Sequence, residues 1–100
     1  MKIRLELGGL EAAPQYRFYV ETVIRRALQP VRDALTLAEV QLDADAATCV
    51  VAGVTREGQR IECRRERTVW TEALEEAANA LAVELQRSGP AHEGGVQDAA

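Results

Sequence analysis

One hundred residues are enough for a single domain with one modest core. A net charge of −4 excludes binding to polyanions by bulk charge alone, and no apolar run approaches the length needed to span a membrane. The charge is unevenly placed: residues 1–67 hold 11 basic and 10 acidic side chains, whereas residues 68–100 hold Arg87 against Glu72, Glu75, Glu76, Glu84, Glu93 and Asp98.

Hydrophobic residues are 47% of the chain, but many are alanine and aromatics are only 4%, so the expected core is thin and made of Leu, Val and Ile. The chain opens on an alternating run, with Ile3, Leu5 and Leu7 on one side and Lys2, Arg4 and Glu6 on the other. That is a half-buried first strand rather than a leader, and a cytoplasmic location is the expectation. Gly8-Gly9 breaks it. Pro14 suits the first turn of a helix, after which Tyr16, Val20, Val23, Ile24, Ala27, Leu28 and Val31 follow helical spacing. Pro30 ends or bends this helix, and residues 32–37 are expected to bridge into the next strand.

Three antiparallel strands then read out of residues 38–66. Ala38, Val40 and Leu42 oppose Glu39, Gln41 and Asp43. The run from Cys49 to Val54 is apolar almost throughout, as an interior strand is. Ile61 and Cys63 oppose Arg60, Glu62 and Arg64. Small and polar residues separate the strands, with Gly58 available for a positive φ in the second turn. A turn centred on Glu57-Gly58 sets Cys63 opposite Ala52 and Cys49 opposite Glu66, out of register for a disulfide, so both thiols are expected to be reduced.

Thr68 is the expected N-cap of a second helix whose inner side holds Trp70, Ala73, Leu74, Ala77, Leu81 and Leu85. Ser88-Gly89-Pro90 stops it. The expected organisation is one α+β domain over residues 1–88, a four-stranded sheet in β-α-β-β-β-α order with both helices on one face. The first two strands are expected to be parallel neighbours. Residues 89–100 have no periodic apolar face and read as a disordered tail.

This order resembles the ribosome hibernation-promoting factor family. The resemblance rests on Tyr19-Val20-Glu21 with Ile24 and Leu28, on Ala38-Glu39-Val40-Gln41-Leu42, and on Gly58-Gln59-Arg60-Ile61-Glu62. Ala73-Leu74-Glu75, Leu81, Leu85 and Arg87 extend it through the last helix. It implies a non-enzymatic factor that binds small-subunit rRNA where messenger and transfer RNAs pass and slows translation under stress. Basic side chains from both helices and the adjoining strands would hold it there. The family's basic positions fall on Val23 and Arg26 in the first helix. In the last helix they fall on Ala80, Val83 and Gln86, leaving Arg87, while Glu72, Glu75, Glu76 and Asn79 face outward. Carboxylates beside RNA repel phosphate. A double-stranded RNA-binding domain is excluded by the additional first strand and by the acidic opening of the last helix.

The candidate nucleic-acid contacts are Arg17, Arg25, Arg26, Arg32, Arg60, Arg64 and Arg87. Arg56, Arg60, Arg64, Arg65 and Arg67 could form a phosphate-binding stripe. Their alternation with Glu57, Glu62 and Glu66 equally describes a charged sheet edge with cross-strand ion pairs. Phe18, the one phenylalanine, falls on the outer side of the first helix, where it could stack on a base or anchor a protein partner. The alternative to a ribosomal factor is therefore a protein-interaction module working through Phe18, the edge of the fourth strand or the tail. Trp70 reads as core. His92 lies in the tail without fixed partners and has no expected role. The chain holds no Gly-rich phosphate loop, Cys–His set or nucleophile elbow, so no cofactor, metal, small-molecule substrate or enzymatic activity is expected.

Overall fold

A computed structural model of the chain describes residues 1–10 and 13–87. Four strands form one mixed sheet: β1 (Lys2–Gly8), β2 (Leu35–Asp43), β3 (Thr48–Thr55) and β4 (Arg60–Glu66), hydrogen-bonded in the order β1-β2-β3-β4. Helix α1 (Pro14–Leu28) connects β1 to β2, which run parallel, and α2 (Trp70–Arg87) follows β4. The remaining pairs are antiparallel. The β-α-β-β-β-α order is the one the periodicities predict. Residues 88–100, and with them the expected stop at Ser88-Gly89-Pro90, the tail and His92, lie outside the described residues.

Both helices pack on one face of the sheet and on each other. That face carries Ala38, Val40 and Leu42 from β2 and Cys49 and Val51 from β3. The helices cover it with Val20, Ile24 and Leu28 from α1 and with Leu74, Ala77, Leu81 and Leu85 from α2. Alanines at 73, 77 and 78, all fully buried, let α2 come close to its neighbours. The space is also tight at Gly53, where a Cβ would stand 2.9 Å from Leu35 Cδ2 and 3.3 Å from Leu81 Cδ2. Trp70 is half-buried and packs against the core's margin, edge-on to Tyr16 and Tyr19 with ring centroids 5.5 and 5.9 Å away. Tyr16, expected inside, is 40% exposed because it lies over Trp70 at the entrance of α1.

Several local expectations need correction. Beyond Leu28 the chain tightens into a 3-10 helix (Gln29–Ala34), since Pro30 has no N–H to continue the α-helical ladder. β2 then begins at Leu35 rather than Ala38. A register shift between Leu35 and Leu37 admits the extra residue, and it turns Leu35 fully into the core. The N-cap of α2 is Val69, whose carbonyl accepts the Ala73 N–H, rather than Thr68.

The hairpin register also differs by one. β3 and β4 are joined by a three-residue loop, Arg56-Glu57-Gly58, closed by Thr55 N–H to Gln59 O at 2.8 Å and by Gly58 N–H to Thr55 O at 2.9 Å. Gly58 takes φ +90, the left-handed residue such loops require. An odd loop pairs residues of equal parity, so Cys63 stands opposite Val51 and Arg65 opposite Cys49. Both cysteines are free. Burial pushes the Cys49 thiol up to about 12; Cys63 is raised as well, by burial first and then by the Glu84 carboxylate.

Candidate nucleic-acid interface

The alternation of each strand divides the basic residues between two surfaces. Side chains at Ile61 and Cys63 turn toward the helices, so Arg60, Glu62, Arg64 and Glu66 stand on the uncovered face of the sheet. Arg17, Arg25 and Arg26 project from α1, on the other side of the sheet. The structure therefore does not gather the seven sequence-predicted arginines into one patch.

On α1, Val20, Ile24 and Leu28 are fully buried, which turns Phe18, Thr22 and Arg25 directly outward. Phe18 is 76% exposed. Arg25 is tied to Glu21 by an i,i+4 pair at 2.8 Å, and Thr22 Oγ1 donates back to Phe18 O at 2.8 Å. Arg17 flanks this ridge, and its guanidinium has no partner among the described residues. Arg26 turns toward α2, into a depression of about 330 Å³ that it shares with Val23, Ala27, Glu75 and Asn79. Arg32, on the 3-10 helix, is exposed with Asp33 Oδ1 4.0 Å from its Nε.

Of the three carboxylates in the first two turns of α2, Glu72, Glu75 and Glu76, two are already engaged. Glu75 Oε2 accepts the Tyr19 hydroxyl at 3.2 Å, and Glu76 is ion-paired with Arg67. Partial burial, followed by the hydrogen bond to Glu75 and its charge, raises the Tyr19 pKa against the opposing pull of Arg26. Glu72 stays exposed. Arg87 pairs with Glu84 at 3.4 Å near the far end of α2.

On the open sheet face, sequence reasoning missed a four-residue network. Glu39, on β2, accepts Arg4 from β1 at 2.6 Å and is also ion-paired with Arg60 from β4, whose Nη2 lies 2.9 Å from Glu62. Arg60, which stands opposite Val54, reaches diagonally across β3 to Glu39, and the β3 residue directly opposite Glu39 is the small Ala52, 1% exposed. These bonds hold Glu39 below the usual carboxylate range, through the Arg60 hydrogen bond first, then the charges of Arg60 and Arg4; Arg60 is raised in turn. The signal lay in register, which alternation alone does not reveal. Beside the network, an open depression of about 750 Å³ is lined by Glu6, Asp43 and Asp45, with Arg64 its single basic residue. That lining disfavours phosphate. Among the described residues no group of three or more His, Cys, Asp or Glu could hold a metal ion, and no helix is long and apolar enough to cross a membrane.

No protein-family model matches the chain, and no curated protein matches it by sequence. Solved structures do match. A ribosomal subunit interface protein from Coxiella burnetii aligns over 88% of this chain and 97% of its own, with a TM-score of 0.68 and 19% identity. The N-terminal domain of Thermus thermophilus Protein Y aligns over 89% of this chain and 100% of its own, with a TM-score of 0.72 and 24% identity. At these identities the likeness is one of fold, and it agrees with the fold implied by the sequence resemblance. The chain is built, over nearly all its length, on the fold of the ribosomal subunit interface protein and the Protein Y N-terminal domain.

Proposed function

We propose that this chain is a non-enzymatic, cytoplasmic, ribosome-associated factor that docks on small-subunit rRNA and slows translation under stress. The observation that carries this reading is the fold it shares, over 88% of its length, with a protein described as a ribosomal subunit interface protein. The α1 side offers the chemistry. Arg17, Arg25 and Arg26, with Arg32 beyond them, present guanidinium groups to phosphate, and Phe18 offers a solvent-facing ring on which an unpaired base can stack. Arg60, Arg64 and Arg87 lie outside this cluster, and Arg60 and Arg87 are already ion-paired within the chain. The engagement of Glu75 by Tyr19 and of Glu76 by Arg67 softens the acidic face of α2.

Co-sedimentation with purified small subunits at about 50 mM salt tests this, where the electrostatic term is strongest. The protein is expected in the subunit pellet, and added to a cell-free translation reaction it should lower the yield. Phe18→Ala should weaken pelleting by about 1–3 kcal/mol if the ring stacks on a base. Failure to pellet at low salt overturns the ribosomal reading. The protein-interaction reading, which the 76% exposure of Phe18 also supports, then takes its place.

A further inference from the structure

β4 is an outer strand of the sheet. Its ladder to β3 is fixed at both ends, by Thr55 N–H to Gln59 O and by Arg67 N–H to Ala47 O. In an antiparallel ladder the bonded pairs recur at every second residue. Ile61, Cys63 and Arg65 therefore bond inward to β3, while Arg60, Glu62, Arg64 and Glu66 turn their peptide groups outward. In agreement, the Arg65 guanidinium reaches the Arg64 carbonyl and that of Arg67 reaches the Glu66 carbonyl, both at 2.7 Å. The four outward residues also carry their side chains on one face, in the sequence plus, minus, plus, minus.

That pattern is self-complementary. We infer that β4 pairs antiparallel with β4 of a second copy, about a two-fold axis at Cys63, to make a continuous eight-stranded sheet. Arg60 then faces Glu66 of the partner subunit, and Glu62 faces Arg64 of the partner subunit, so every pair on the open face is of opposite charge. Sliding by one step that preserves the faces destroys this. An axis at Glu62 sets Glu62 against its own copy and Arg60 against an arginine. An axis at Arg64 sets Arg64 against its own copy and Glu62 against a glutamate. Like charges directly opposite destabilise a strand pair, so the charge order selects one register. The side chains of Arg64 and Glu66 have no partner within the described chain and are free to make these pairs. The incoming strand takes over the carbonyls now held by Arg65 and Arg67.

The helices fit the same arrangement. α2 lies over β3 and β4, and strands repeat at about 4.8 Å, which sets the two α2 helices about 10 Å apart across the axis, at helix-packing distance. The side of α2 that would meet its copy borders a groove of about 590 Å³ along β4, lined by Ile61, Cys63, Ala80 and Val83 among others. Val83 is 50% exposed, and the pairing covers it. The inference stands apart from the ribosomal reading and holds whether or not that reading survives.

The test is sedimentation equilibrium of the full chain in reducing buffer, with circular dichroism confirming that each variant is folded. A monomer–dimer equilibrium is expected. Glu62→Arg and Arg64→Glu should each weaken it by about tenfold or more, because each sets like charges opposite one another twice. The double variant should restore it. Diamide provides an independent readout: it takes two electrons and two protons from two Cys63 thiols, which join as a disulfide while diamide becomes the hydrazine. Cys63 meets its copy at a non-hydrogen-bonded pair, with Cα atoms about 4.5 Å apart, within disulfide reach. Cross-linking should persist in Cys49→Ala and disappear when the thiol is moved by combining Cys63→Ala with Ile61→Cys. A chain that stays monomeric at its highest soluble concentration overturns the inference. So does a dimer indifferent to the charge exchange, or a cross-link that forms equally well from position 61.

Discussion

Gly53 and Glu39 show how much a single position in this sheet depends on what lies above it. Gly53 looks like a weak point in an apolar strand, yet it is where Leu35 of β2 and Leu81 of α2 fill the space a side chain would take. Leu35 is 1% exposed and Leu81 fully buried, so their methyl groups have little room to retreat. Gly53→Val is expected to destabilise the fold by about 1–3 kcal/mol through overpacking, with Gly53→Ala costing less, as read from urea unfolding midpoints. Equal stability of the two variants and the parent would show that the layer gap is soft. Glu39 answers to pH instead. Its carboxyl is held low by Arg60 and Arg4 when folded, so its contribution is present above the ordinary carboxylate pKa. It is lost as pH falls through the lower folded value. Thermal melts from neutral pH down to about pH 3 should therefore show a shallower acid-side loss in Glu39→Gln than in the parent. An unchanged slope would mean that the network does not persist in solution. At neutral pH the replacement should cost little, since exposed ion pairs contribute little net stability.

At the scale of elements, periodicity carried most of the architecture. The alternation of Ile3, Leu5 and Leu7 and of Val40 and Leu42 located strands and their inner faces, and Val20, Ile24 and Leu28 located the buried side of α1. What alternation does not encode is the offset between one strand and the next. That offset was set by a loop of odd length ending at Gly58, by the extra residue near Leu35, and by a helix that starts from the Val69 carbonyl. The arginines of α1 and their exposure were legible. The bridge from Arg60 to Glu39 was not, because it needs β3 to present Ala52 at one particular register. α2 is the element on which the rest depends, since its inner side covers β3 and β4 and abuts α1. Leu81 sits where it meets Gly53. Leu81→Ala should cost about 2–5 kcal/mol as a core truncation, a large share of the stability of a domain this size. The melting midpoint should fall by about 4–8 °C for each kcal/mol lost. A fall of only a degree or two would mean that α2 settles into the space left.

For the whole molecule, the sheet is a partition between two differently charged surfaces, and that decides how an RNA contact could be made. The open face couples Arg4 and Arg60 to Glu39 and Glu62, and its Arg64 borders a depression otherwise lined by Glu6, Asp43 and Asp45, so the positive charge there is largely offset locally. The α1 side keeps Arg17 without a partner among the described residues, and the Arg25 partner, Glu21, is a surface residue whose ion pair a phosphate can replace. One rigid RNA surface cannot meet both sides at once. With about three or four phosphates neutralised from the α1 side, subunit binding should weaken about twentyfold to 150-fold between 50 and 200 mM salt. Replacing Arg25 and Arg26 with alanine should lower the slope of log affinity against log salt by up to about two. Replacing Arg60 and Arg64 should leave that slope unaltered, although Arg60→Ala releases Glu39 and shifts stability. Measuring both pairs well below the melting midpoint separates the two effects. If the β4 pair flattens the slope and the α1 pair does not, docking occurs through the open face of the sheet, and the assignment of the contact to α1 is wrong.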